Sequence, residues 1–286
     1  MGEYKVPIRR TKWAGVALFT VLITCGLIGS PVYAWKYGLT ASEIFLFIFY
    51  FMATSLSITV GYHRLFAHAT YKTGPIVRFL LLFFGAATYE ESALKWTSQH
   101  RQHHQFTDTD KDPHNSLKGF WYCHVGWIIF YKHHVNYDNV KDLSQNKLVM
   151  HQHKYYDLWS LTSGILLPML IGFWIGRPLG VFLMSVCLRM LLVMNTAFLI
   201  NSYAHMIGDN HYNRKESAAD HWLGAILTNG EGYHSFHHRF PNDYRNGIRW
   251  HHWDPTKWFI YLLSRAGLAW NLKRTPETLI ALPAGA

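Results

Sequence analysis

The run IFLFIFYFMATSLSITVGY, residues 44–62, opens without a break into HRLFAH, residues 63–68, so an uncharged apolar segment ends where two histidines begin. A hydrocarbon core of roughly 30 Å takes about 20 apolar helical residues, and this run is long enough to cross it. Trp13 to Trp35 is a second stretch without a charge. Leu158 to Gly176 is a third, and Leu179 to Ala204 a fourth that carries one charge, Arg189. These runs predict an all-α membrane protein with four transmembrane helices, at about residues 13–34, 44–62, 158–176 and 179–204. A helical cap, residues 63–157 and 205–286, carries the histidine-rich site, and the whole chain, 1–286, reads as one integral-membrane domain. A signal peptide with Arg9, Arg10 and Lys12 ahead of the first run and a cleavage site at Val32-Tyr33-Ala34 is the weaker reading, because the run is long for a signal core.

Lys and Arg outnumber Asp and Glu by 27 to 17 in the 286 residues. The basic residues fall before the first span, between spans two and three, and after span four. That pattern puts both termini and the histidines in the cytoplasm. Only short links, with Lys36 and Arg177, face the other side. No recognisable nucleic-acid-binding module accompanies the excess charge, so no nucleic-acid partner is expected. Cys25, Cys123 and Cys187 are scattered and form no metal or disulfide framework.

Outward from residues 63–68, His100, His103 and His104 stand in HRQHH, and His234, His237 and His238 repeat the spacing in HSFHH. At about 100° per residue these positions lie on one side of a helix. His63 and His68 are five apart and would diverge on a straight α-helix, and Gly61 is where a bend or local unwinding would cost least. Asn201 and His205, four apart at the end of span four, should share a helix face. Nine histidines exceed the needs of one metal and suit two ions of five or six coordination. Imidazole alone does not select the metal, but open positions beside an apolar pocket favour oxygen chemistry and hence iron.

Other features read plainly. Asp108 and Asp110 look like a solvated turn, and His124, His133, His134, His151 and His153 like surface or packing residues. Arg189 is either a functional intramembrane charge or a structural one. Residues 1–12 form a basic arm at the membrane surface, and Phe79 to Thr88 is a segment too short to span. Pro255 to Leu268 is amphipathic and should lie along the membrane, and the tail after Pro276 should be loose.

HRLFAH, HRQHH and GEGYHSFHH resemble the three histidine boxes of the membrane fatty-acid desaturase superfamily, in the form of stearoyl-CoA-type Δ9 desaturases. The likeness continues through DTDKDPHN, HVGWI, NSYAH and HHRFPNDYR, over roughly residues 45–260. It implies a non-haem di-iron oxygenase that uses O2 and two electrons to place a cis double bond in a saturated long-chain acyl thioester. The ligands it implies are His63, His68, His100, His103, His104, His205, His234, His237 and His238, with Asn201 completing one iron's surroundings through water. Trp96 and Phe198 match walls of the family's acyl tunnel, and Phe51 the bulky residue that closes its end. Animal acyl-CoA members carry Arg-Asp before the first HxxHH as part of the CoA site, whereas Ser98-Gln99 stand here and Glu91 replaces a neutral amide of that region, so an acyl-carrier-protein or acyl-lipid substrate is the alternative to acyl-CoA. A related di-iron fatty-acid or alkane hydroxylase is the nearest alternative chemistry, and a non-catalytic metal-binding membrane protein the alternative class. With no haem, flavin or nicotinamide motif, the resemblance implies an external electron donor: ferredoxin, rubredoxin or cytochrome b5 with a reductase. The reading favours a bacterial inner membrane over the endoplasmic reticulum.

Overall fold

A computed structural model describes residues 6–281. The first five residues of the basic arm and the last five of the tail lie outside the described residues. Four helical segments, Trp13–Tyr37, Ala41–Ala67, Tyr156–Trp174 and Pro178–His205, are long and apolar enough to cross a membrane. They match the four expected spans, with the second and first extended at their C-terminal ends. Phe45, Ile48, Leu170, Phe173 and Leu179 keep their side chains exposed, as lipid-facing residues do.

At the end remote from the histidines, two short links are tied together through one carboxylate. Thr40 caps Ala41–Leu56 with a reciprocal Thr40–Glu43 capping box. Glu43 is fully buried, accepts from the Tyr33 hydroxyl at 2.8 Å, and pairs with Arg177 at 3.1 Å. One acid therefore joins the turns on either side of the bundle.

Arg189, in the middle of span four, is fully buried, and its role is structural. Its guanidinium donates to the carbonyls of Ser185 (3.0 Å), Gly164 (3.0 Å) and Ala87, and sits 6.0 Å over the Tyr50 ring. A lone charge in hydrocarbon is costly. Three carbonyls and an aromatic face offset that cost and lock spans two, three and four to the helix Pro75–Ala86.

That helix and Ala93–Phe106 form the floor of the cap, around a core that includes Ile58, Tyr62, Leu82, Trp159 and Ile260. Within the described part of the basic arm, Ile8–Arg9 pairs antiparallel with Tyr131–Lys132. Pro255–Arg265 is helical, capped by Asp254; it buries Thr256, Lys257 and Ile260 and exposes Tyr261 and Leu262, the amphipathic arrangement expected. After it, Ala269–Trp270 pairs with Lys72–Thr73, and Glu277–Ile280 forms a helical turn where a loose tail was expected.

Candidate metal centre

Histidines five apart meet because the end of span two is not an α-helix. Over Ser57–Ala67 it is a π-helix, and the His68 N–H bonds the His63 carbonyl at 3.1 Å. Bonds from i to i+5 stack residues five apart on one face. The two imidazole centroids are accordingly 4.9 Å apart. Gly61 lies inside this π turn, the local unwinding expected there, and a Cβ on it would lie 3.0 Å from Leu81 Cβ, so glycine also lets helix Pro75–Ala86 pack against the turn.

The first HxxHH sits on Ala93–Phe106, whose start is held by Ser92, accepting from the Lys95 N–H at 3.4 Å, and by Gln152, accepting from the Ala93 N–H at 3.0 Å. The second occupies the short helix His234–Arg239, reached through Gly230 in the left-handed region at φ 99°. Span four does not continue to His205 as an α-helix. The α-helix ends at Asn201, and His205 lies in the 3₁₀ turn Tyr203–His205, which replaces the expected i, i+4 relation.

The nine histidines converge as two groups. His63, His68, His100, His104 and His237 form one, and His103, His205, His234 and His238 the other; within each, the candidate ligand atoms lie within 4.8 Å of one another. Nε2 atoms approach at 3.0 Å (His63 and His237), 2.8 Å (His68 and His100) and 3.0 Å (His104 and His237) in the first group. In the second they approach at 3.1 Å (His205 and His234) and 3.2 Å (His234 and His238). Adjacent ligands at about 2.1 Å from an ion, roughly 90° apart, would stand about 3.0 Å from each other. The donor set therefore fits two metal ions.

The far ring nitrogens are held by groups that the sequence reading did not single out. His63 Nδ1 lies 2.8 Å from Glu231, His103 Nδ1 2.9 Å from Asp112 and His238 Nδ1 2.7 Å from Glu216. His205 Nδ1 lies 2.8 Å from Ser217 Oγ, which donates to Asp108 at 2.6 Å. With the proton kept on Nδ1, the Nε2 lone pair of each ring faces its group, the arrangement a metal requires. Asp108 is thus no solvated turn; Asp110, paired with Lys118 at 3.0 Å and mostly exposed, is. Glu231 is itself held by Arg64 (2.8 Å) and Asn246 (2.7 Å), and Arg64 also pairs with Asp254 at 3.0 Å.

Burial, then neighbouring histidines, pulls His68, His100, His104, His237 and His238 well below the ordinary imidazole range. Burial first, then His103, pushes His234 down to about 3. His103 moves the other way: burial pulls it down, but the charge and hydrogen bond of Asp112 outweigh burial and raise it. Burial would raise Glu231, yet Arg64 and His63 hold it at about 2. The depressed rings are held neutral, the form in which histidine binds metal.

A cavity of about 370 Å³ abuts both groups; His63, His100, His103 and His234 line it together with Trp96, Phe198 and Asn201. Trp96 stacks on His100 with centroids 4.9 Å apart. Phe51 does not line this cavity; its ring stacks on Phe47 at 6.3 Å, and a small adjoining void reaches Ser55, one turn short of it. His114, from DPHN, is buried in the cavity wall, forms a further group with His103 and Asp112, and leaves Nδ1 without a partner. His133 also lines the cavity, whereas His124 is a packing residue bound to Ser202 at 2.9 Å.

Residues 41–261 match the family model "Fatty acid desaturase". The Schizosaccharomyces pombe protein named "Probable acyl-CoA desaturase" is 43% identical over 237 residues, 82% of this chain and 49% of that protein. "Acyl-CoA desaturase 1" of Saccharomyces cerevisiae is 37% identical over 270 residues, 91% of this chain and 52% of the yeast protein. "Stearoyl-CoA desaturase" of Homo sapiens is 32% identical over 282 residues, 94% of this chain and 76% of the human protein. The chain thus spans about half the length of the two fungal relatives.

Proposed function

The chain belongs to the fatty acid desaturase family, and from that premise we propose that it is an O2-dependent fatty acyl-CoA desaturase placing a cis double bond, at Δ9, in a saturated long chain. Two iron ions are the metals of this reading, one for each histidine group, with Asn201 acting on one of them through water. The observation that carries it is the convergence of two sets of Nε2 atoms, 2.8–3.2 Å apart, on one side of an apolar-walled cavity.

Bound iron would supply the oxidising power, drawn from O2 and two electrons, that removes hydrogen from an unactivated methylene. The chain's own task is positional. Trp96 and Phe198 hold the acyl chain and keep water out of the cavity, so that one methylene stays next to the histidines. Asp112, Glu216, Ser217 and Glu231 fix ring orientation.

Lys12, Lys95 and Lys132 line the same cavity, and Lys12 and Lys132 are exposed at its opening. Lys95 is paired with Glu91 at 2.6 Å, so Lys12 and Lys132 are the exposed cations of this wall; they favour an anionic headgroup and hence acyl-CoA, the carrier printed in the relatives' names. Ser98 does not serve that end: it is buried and donates to the Asn136 carbonyl at 2.8 Å. The basic residues between and after the spans support a cytoplasmic cap. Electrons come from a separate small acidic protein such as a ferredoxin, rubredoxin or cytochrome b5.

Expression in a host lacking unsaturated fatty acids, with a competent donor, should restore growth and give monounsaturated chains whose double-bond position mass spectrometry reads. About two iron ions per chain should accompany it. An unchanged lipid profile from iron-loaded protein overturns the reading, and hydroxylated chains in place of alkenes convert it to the hydroxylase.

A further inference from the structure

The two histidine groups differ in how they meet their surroundings. All four members of the four-histidine group are buried, but in the five-histidine group His68 and His104 are only half-buried. The cavity is lined by His63 and His100 of that group and by neither His68 nor His104. The five-histidine group therefore shows one face to the cavity and another to the outside.

The outward face is polar and basic. Ala69 and Gln105, beside the two half-buried histidines, are exposed. Arg101 donates to the Phe66 and Ala67 carbonyls at 2.9 Å and pairs with Asp142 at 2.8 Å. The Lys273 N–H bonds the Thr70 carbonyl at 2.9 Å, which brings exposed Lys273 and Arg274 against the segment that follows His68. Arg101 is neutralised by Asp142, which leaves exposed Lys273 and Arg274 as the positive charge of this edge.

Resting on the desaturase reading, we propose that the edge formed by His68, His104, Gln105 and Lys273 is the docking surface for a small acidic electron-transfer protein, and that electrons enter at the five-histidine position. The donor and the acyl substrate then approach from opposite faces and do not compete. Charge complementarity steers such encounters, raising association rates by roughly 10- to 1,000-fold at low salt.

Gln105→Glu combined with Lys273→Glu tests this, since neither residue is a candidate ligand or lines the cavity. The probe is a purified acidic ferredoxin, with its affinity for the iron-loaded protein read by fluorescence anisotropy and its rate of reducing the metal read by anaerobic stopped flow. The double variant should lose roughly 10-fold or more in both at low ionic strength, with the difference closing as salt is added, and Gln105→Lys should move both the other way. Lys36→Glu, on the remote link, should change neither. Equal affinity and rate for native and double-variant protein at all salt concentrations overturns the proposal. So does a variant that loses binding only to phosphatidylglycerol vesicles, which would make the patch a lipid contact. Failure of the desaturase reading looks different: an uncharged reductant would not reduce the native metal either, while ferredoxin binding would still report on the surface.

Discussion

HRQHH and HSFHH have the same spacing and opposite assignments. From the first, His100 and His104 join the five-histidine group and His103 the other; from the second, His234 and His238 join the four-histidine group and His237 the other. On an α-helix, residues i and i+4 lie about 40° apart, while i+3 falls about 60° to the other side of i. Each motif therefore gives its i, i+4 pair to one histidine group and its i+3 ring to the second, and two motifs facing each other interlock. The spacing dictates the split, and the packing of the two helices dictates which group receives which share.

The largest effects should come from breaking that partition. His100→Ala and His237→Ala should each deplete the same ion, and His103→Ala and His234→Ala the other. Iron per chain should fall from about two to about one, and turnover by more than about 100-fold, beyond the 10–100-fold that outer partners cost. Plasma emission spectrometry with Mössbauer spectra of the variants checks this; if His103→Ala and His100→Ala deplete one and the same ion, the interlocked partition is wrong.

Next come the carboxylates behind the rings. Glu231→Gln should weaken the five-histidine position and Glu216→Gln the four-histidine one, each by roughly 10–100-fold in metal affinity. Competition with a chelator of known affinity measures both, and equal loss at both positions in either variant would count against separate backing.

The pH dependence of the metal-free protein separates His103 from its neighbours. His68, His100, His104, His234, His237 and His238 are depressed in the fold below the ordinary 6.5. The unfolded chain therefore takes up protons first as pH falls. Stability is full above 6.5 and is lost below it, down to about 3 for His234, by ~1.4 kcal/mol per pH unit for each ring that stays neutral. His103 is raised instead, so its contribution is present below 6.5 and is lost as pH rises through its folded value. Denaturant melts in detergent at several pH values, with native protein and Asp112→Asn, should show the His103 contribution vanish in the variant.

The smallest effect concerns the cavity both groups share. Phe51→Ala should leave the iron content untouched and extend the accepted acyl chain by about one turn's worth of space, read as a longer product by mass spectrometry. Because the adjoining void stops at Ser55, an unchanged length profile would place the end of the cavity at Ser55 instead.

The sequence alone determined the four spans, since apolar runs of about 20 residues with at most one charge are long enough to cross a hydrocarbon core. It also determined the nine histidines, because their spacing recurs and ends at the membrane boundary. Asp108, Asp112, Glu216 and Glu231 stayed hidden, since an isolated carboxylate in a polar loop carries no periodic signal and gains its role only through a partner distant in sequence. Arg189 could be read two ways until Ala87 and Gly164 were seen to supply its carbonyl partners. The π turn over Ser57–Ala67 was legible only in part: the five-residue spacing of His63 and His68 and the glycine at 61 called for a bend or local unwinding, and the structure shows which, with helix Pro75–Ala86 packed on Gly61. Local chemistry sets which residue types are offered, and the division of nine rings into two groups depends on contacts between elements far apart in the chain, which only tertiary structure decides.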